Sequence, residues 1–135
     1  MLFRSGSLTY ATVRYGGGGA YSGPSYAAVD VGTDTTAPTL NNNLIVYNVT
    51  GLAISGATTN VAVTQTTFQQ NGTGLAINAG SATVNGSTFT NNTGTAISAS
   101  SGAGGTVSGN TIMTTRGGSA FSIGASFLGS ISGTR

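Results

Sequence analysis

The chain is 135 residues long, enough for one domain with a core of its own. Only 4% of it is charged, against roughly 25% in an average protein, so its polar surface is hydroxyls and amides rather than ions. It has no lysine, glutamate, histidine or cysteine. That excludes disulfides, thiolate metal sites and a histidine- or lysine-based acid–base apparatus, and the four arginines (Arg4, Arg14, Arg116, Arg135) are too scattered for a nucleic-acid footprint.

At the N-terminus, Met1-Leu2-Phe3-Arg4 runs into Ser-Gly-Ser with no apolar signal-peptide region, so a mature form or a fragment of a longer chain is expected. No stretch approaches the roughly 20 apolar residues of a membrane helix. Leu8 and Val13, five apart, open the first structural unit. Gly16 to Gly19 lacks the Lys-Ser/Thr and helix of a phosphate-binding loop and reads as a hinge into an insertion spanning 16–26. Tyr10, Tyr15, Tyr21 and Tyr26 cluster on or beside that insertion. Aromatic faces with a polar handle suit sugar rings, which makes these four the candidate glycan-binding residues; packing of the loop against its flank is the structural alternative. Ala28-Val29 supplies a strand after the insertion. Asp30 and Asp34, the only carboxylates, suit an outward strand position and a turn. They form no pair for glycoside hydrolysis, and no metal site is expected of them.

From Leu40 onward the chain repeats. Leu40/Ile45, Val63/Phe68, Val84/Phe89 and Val107/Ile112 are apolar pairs five apart, and the second members step by 23, 21 and 23. After each pair comes a glycine (Gly51, Gly74, Gly94, Gly118), an alanine two residues later (Ala53, Ala76, Ala96, Ala120) and a large apolar residue (Ile54, Ile77, Ile97, Phe121). Val, Ile, Phe and Thr favour a pleated surface, and recurrent Gly, Asn, Ser and Thr work against helix. In the coil from Ser81, strands fall around Ala82–Val84, Ser87–Phe89 and Thr95–Ser98, with turns at Asn85-Gly86 and Asn91 to Gly94. The spacing predicts an all-β solenoid of about five coils of 21–23 residues, three short strands in each, as a single domain over 1–135. Its core is a set of ladders: Leu40, Val63, Val84, Val107; Ile45, Phe68, Phe89, Ile112; and Ile54, Ile77, Ile97, Phe121. Leu128 opens a further coil.

The polar residues repeat too. Asn71 and Asn92 occupy matching turns and are expected to bond their amides along the column. Asn48, Asn71, Asn85 and Asn91 lie in Asn-x-Ser/Thr triplets, the candidate glycosylation sites. Thr67, Thr88 and Thr111 form an outward rank, interrupted at Leu44; three residues are too few to single out ice binding from solvent-facing β-formers. With no histidine or lysine to activate them, the many hydroxyls read as surface and turn groups.

The arrangement Val63-x-x-x-x-Phe68-x-x-Asn71-x-x-Gly74-x-Ala76-Ile77 resembles the repeats of right-handed parallel β-helix proteins of the pectate-lyase-like superfamily. The segment from Leu8 to Gly19 is similar to stretches common in their secreted bacterial members. The resemblance implies the right-handed fold and a place outside the cell or at its surface. It fixes no activity, since that superfamily includes lyases, hydrolases, adhesins and inert stalks, and no catalytic motif is present to carry over. The expected role is therefore a non-catalytic structural protein (stalk, fibre or surface module) without a cofactor, whose uncapped ends stack head to tail into a homo-oligomer. A glycan-binding, adhesin-like module and a non-catalytic fragment of a polysaccharide lyase or hydrolase are the alternatives.

Overall fold

The computed structural model describes residues 2–3, 6–15, 27–32, 37–113 and 117–135, at 2–3 and 57–59 through the backbone alone. The insertion at 16–26, with Tyr21 and Tyr26, lies outside the described residues, as do Asp34, Arg4 and Arg116. Among the described residues every regular element is a strand. In chain order these are β1 (Leu2–Phe3), β2 (Ser7–Thr9), β3 (Thr12–Arg14), β4 (Ala27–Val31), β5 (Thr39–Asn41), β6 (Leu44–Val46), β7 (Thr50–Thr64), β8 (Thr67–Gln69), β9 (Thr73–Asn85), β10 (Thr88–Thr90), β11 (Ile97–Ala99), β12 (Gly104–Ser108), β13 (Thr111–Met113), β14 (Phe121–Ile123) and β15 (Leu128–Ser132).

Each strand pairs in parallel with its counterpart one coil away, which makes three stacked faces. Face one is β2, β5, the end of β7, the end of β9, β12 and β15. Face two is β3, β6, β8, β10 and β13. Face three is β1, β4, the start of β7, the start of β9, β11 and β14. Face two runs through Val13, Ile45, Phe68, Phe89 and Ile112, five levels that span four turns of the solenoid. At about 4.8 Å per level that is a column roughly 19 Å tall. The first turn takes 32 residues, from Val13 to Ile45, and carries the insertion; the others take 23, 21 and 23.

The expectation of three separate strands per coil is modified at one corner. In β7 and β9 the face-three and face-one strands are continuous, 15 and 13 residues long, with register shifts between Ile54, Ser55 and Asn60. Pairing holds up to Ser55 with Ala79 and resumes at Asn60 with Ser81, with residues 56–59 bulging between the two faces.

Alternation along each strand sends one set of side chains inward. Leu8, Leu40, Val63, Val84, Val107 and Ile131 stack on face one, and Val13, Ile45, Phe68, Phe89 and Ile112 on face two. Phe68 and Phe89 stack with ring centroids 4.7 Å apart. The middle of each ladder is fully buried, while Leu8, Val13, Ile112 and Phe121 pack against it half-buried. Face three departs from the sequence reading. Ile97 and Phe121 stack on Leu75 and Leu52, and the residues level with Ile77 and Ile54 are Ala99 and Ile123. The shift is of two residues, which preserves the side-chain parity, so Ile97 still points into the core.

The other two corners share one device. Tyr10, Asn42, Gln65, Gly86, Gly109 and Gly133 each follow the face-one strand, and each has a positive φ. Tyr15, Tyr47, Gln70 and Asn91 do the same after face two. One left-handed residue per level turns the chain sharply without ending the ladder: the backbone N–H of Asn42, Gln65, Tyr47, Gln70 and Asn91 each donates to a carbonyl on the next coil. Only Gly, Asn and Asp take this conformation readily, so tyrosine and glutamine at these corners carry a cost offset by the pairing around them.

Inside the corner after face two, size is traded between columns. A side chain at Gly51 would come within 3.2 Å of the Phe68 ring, and one at Gly74 within 2.9 Å of Phe89. The position level with these glycines in the next coil is Ala96, and the ring position that follows it is Ile112. Glycine accompanies phenylalanine and alanine accompanies isoleucine, as close packing at fixed volume requires.

Candidate functional site

Parallel coils leave corner backbone groups facing the core, and two side-chain ladders take them up. In the corner after face one the series is Ala11, Asn43, Thr66, Ser87 and Asn110. The backbone N–H of each earlier member donates to the side chain of the next: Ala11 to Asn43 Oδ1 at 2.9 Å, Asn43 to Thr66 Oγ1 at 3.5 Å, Thr66 to Ser87 Oγ at 3.2 Å and Ser87 to Asn110 Oδ1 at 2.9 Å. The amides of Asn43 and Asn110 donate in turn to the carbonyls of Leu8 and Val84 in the preceding coils.

The corner after face two has Asn48, Asn71 and Asn92. Asn48 donates from its backbone N–H and its Nδ2 to Asn71 Oδ1 at 3.1 and 2.9 Å; Asn71 does the same to Asn92 Oδ1 at 3.0 and 3.2 Å. The Nδ2 atoms of Asn71 and Asn92 also reach back to the carbonyls of Ile45 and Phe68. The bonding foreseen for Asn71 and Asn92 is thus present, and Asn48 extends it. Among the described residues no buried side-chain nitrogen or oxygen lacks a partner.

This geometry corrects two candidate glycosylation sites. Asn48 and Asn71 are buried with their amides engaged inside the solenoid, where a glycan has no room. Asn91 is half-buried at a left-handed corner, and Asn85 is exposed, with Nδ2 donating to Ser108 Oγ at 3.2 Å. The threonine rank is a register column on the outer side of face two, Thr12, Leu44, Thr67, Thr88 and Thr111, with Leu44 interrupting it.

Among the described residues Asp30 and Arg14 lie on different faces of the solenoid. Asp30 faces outward on β4 and accepts a short hydrogen bond from the Ser55 hydroxyl. Arg14 lies on the outer side of face two. Among the described residues no three His, Cys, Asp or Glu side chains come together as a metal would require.

What does assemble is an aromatic rim on the first two coils. Tyr10 and Tyr15 sit at the two left-handed corners that bracket β3, and are 80% and 73% exposed. The second corner of the next coil holds Tyr47, 47% exposed, with its ring stacked on that of Tyr15 at a centroid distance of 5.6 Å and an interplanar angle of 7°. Arg14 immediately precedes Tyr15 on the outer face. Of the four tyrosines expected to cluster, Tyr10 and Tyr15 are on this rim and Tyr21 and Tyr26 lie outside the described residues. Tyr47 was not among the candidates. Its signal was the interval: it lies 32 residues after Tyr15, the same step that separates Val13 from Ile45.

No helix among the described residues is long and apolar enough to cross a membrane. A family model described as right handed beta helix region matches residues 5–132, which covers all but the two ends of the chain and gives the hand of the solenoid. No curated protein and no solved structure matches.

Proposed function

Because the chain belongs to the right-handed β-helix family, we propose that it is a non-catalytic structural module, a stack of coils outside the cell or at its surface that associates end to end with its own copies. The observation that carries this reading is a column of parallel strands with little charge along it: 4% of the residues are charged, and charge is the usual defence of a strand edge against pairing with another chain. Leu128 is 75% exposed and Ile131, level with Val107 in the face-one core ladder, is 40% exposed, an apolar surface on which a further coil can stack. The placement of Asp30 on face three and Arg14 on face two and the lack of a histidine or lysine support the non-catalytic part of the proposal. The absence of cysteine accords with secretion by a bacterium.

The test is negative-stain electron microscopy across a concentration series, with Ile131→Lys as comparison. Thin filaments that lengthen with concentration and are abolished by the lysine support the reading. Discrete short particles at every concentration, in both proteins, refute it.

A further inference from the structure

The rim of Tyr10, Tyr15 and Tyr47 lies on the first two coils, away from β15. Corner positions with positive φ disfavour tyrosine, yet three of the ten described positive-φ corner residues are tyrosines, all in the first two coils. Other levels fill the same corners with Asn, Gln and Gly. Tyr15 and Tyr47 stack on one another, and the high exposure of Tyr15 leaves its second ring face open.

We propose that this rim binds a linear, neutral saccharide, with one sugar ring packed on the open face of Tyr15 and the chain running along β3 toward Tyr10. Size decides against a protein partner. Three tyrosines offer roughly 150–250 Å² each even if wholly covered, and part of that is spent between Tyr15 and Tyr47. A stable protein interface needs about 800 Å² per partner. A thin ligand is satisfied by less. The five residue steps from Tyr10 to Tyr15 span about 17 Å or less, a gap one oligosaccharide can bridge.

Chemistry then favours a sugar among thin ligands. A pyranose has an apolar C–H face and a ring of hydroxyls. The rim offers aromatic faces for the first, and phenol groups, the Thr12 hydroxyl and the Arg14 guanidinium for the second. Arg14 is the only charged residue on β3 and its flanking corners, so the surface neither repels a neutral chain nor holds a cluster that would select an anion.

The experiment is an array of cellohexaose, maltohexaose, chitohexaose and a uronic-acid hexamer, followed by NMR titration of the protein with the strongest neutral binder. Tyr15→Ala and Tyr47→Ala are each expected to weaken binding about 3- to 10-fold, the worth of one aromatic contact. Tyr47→Phe should retain most of it, and Ser130→Ala on β15 should leave it unchanged. Circular dichroism of each variant separates loss of binding from loss of fold. No binding of any neutral hexamer overturns the proposal, as does undiminished binding by a folded Tyr15→Ala/Tyr47→Ala double variant. Binding of the uronic-acid hexamer alone, lost at about 0.5 M salt, would also overturn it, because Arg14 would then act as a point charge without the rings. The tyrosine substitutions leave β13, β14 and β15 untouched, so failure here is distinguishable from failure of the structural reading.

Discussion

Replacing Asn71 with alanine tests the asparagine ladder where it is most committed. The side chain is fully buried and makes four bonds: Oδ1 accepts from the backbone N–H and Nδ2 of Asn48, while Nδ2 donates to the Ile45 carbonyl and to Asn92 Oδ1. Truncation deprives three neighbouring residues in two adjacent coils of a partner. A buried polar group left unsatisfied costs about 1–3 kcal/mol, and water entering the vacated space recovers part of that. The expected loss is therefore about 3–5 kcal/mol, a large share of the roughly 5–15 kcal/mol available to a domain. Urea denaturation followed by far-ultraviolet circular dichroism measures it, with Thr88→Ala on the outer side of face two as a control expected to stay within about 0.5 kcal/mol. Asn71→Asp should be at least as damaging as Asn71→Ala, since it keeps the acceptor, loses the donor and buries a charge. A loss below about 1 kcal/mol for Asn71→Ala would mean the corner is held by backbone pairing alone, and the argument from the ladder would fail.

Gly74→Ala should destabilise by about 1–3 kcal/mol, because the new methyl meets the Phe89 ring at 2.9 Å and the Ala96 carbonyl at 2.6 Å. Adding Phe89→Leu should relieve the first contact but not the second; a double-mutant cycle with coupling under about 0.5 kcal/mol would refute the size trade between the columns. Gly105→Ala is expected to prevent stable folding, since a side chain there would lie 1.9 Å from the Ala82 carbonyl on a backbone with φ of 123°; a soluble, cooperatively unfolding variant would contradict this. Salt between about 0.05 and 0.5 M should move the urea midpoint of the parent protein very little, because so few charges exist to be screened; a pronounced shift would point to ionic contacts outside the described residues.

Faces one and two were legible because a three-residue face-two strand and a two-residue corner, its first residue left-handed, fix the spacing between their inner residues. Leu40/Ile45, Val63/Phe68, Val84/Phe89 and Val107/Ile112 keep a separation of five at every level. Face three was misaligned because the sequence offers a false match. Gly94-x-Ala96-Ile97 copies the wording of Gly74-x-Ala76-Ile77, but the register sets Ala96 level with Gly74 and Ile97 level with Leu75. From Asn71 to Leu75 is four residues and from Asn92 to Ile97 is five, so the later turn is one residue longer. Such a length change is invisible without the pairing. The ladder through Asn43, Thr66, Ser87 and Asn110 escaped the sequence reading for a different reason. Its members are four residue positions filled by three residue types, each able to present an oxygen to the N–H of the coil before. A column defined by an acceptor atom does not show as a repeated letter. At the candidate site, Tyr10 and Tyr15 stood out by proximity in sequence, whereas Tyr47 joined them only through a coil lengthened to 32 residues.

The one-coil reach of the ladders has a mechanical consequence. The hydrogen bonds of the two asparagine-bearing corners tie each level to an adjacent one, at sequence separations of 21 to 26 in the later coils. Among the described residues no strand spans three levels, so none of these elements clamps the stack as a whole. Pulled by its two termini, the chain would unspool from an end, each coil leaving intact the paired edge beneath it. Each release of 21 or 23 residues would lengthen the tether by roughly 70–80 Å. The force trace would therefore be a series of near-equal steps, as from a wound cord paying out turn by turn, with the longer first coil giving the one step that breaks the rhythm.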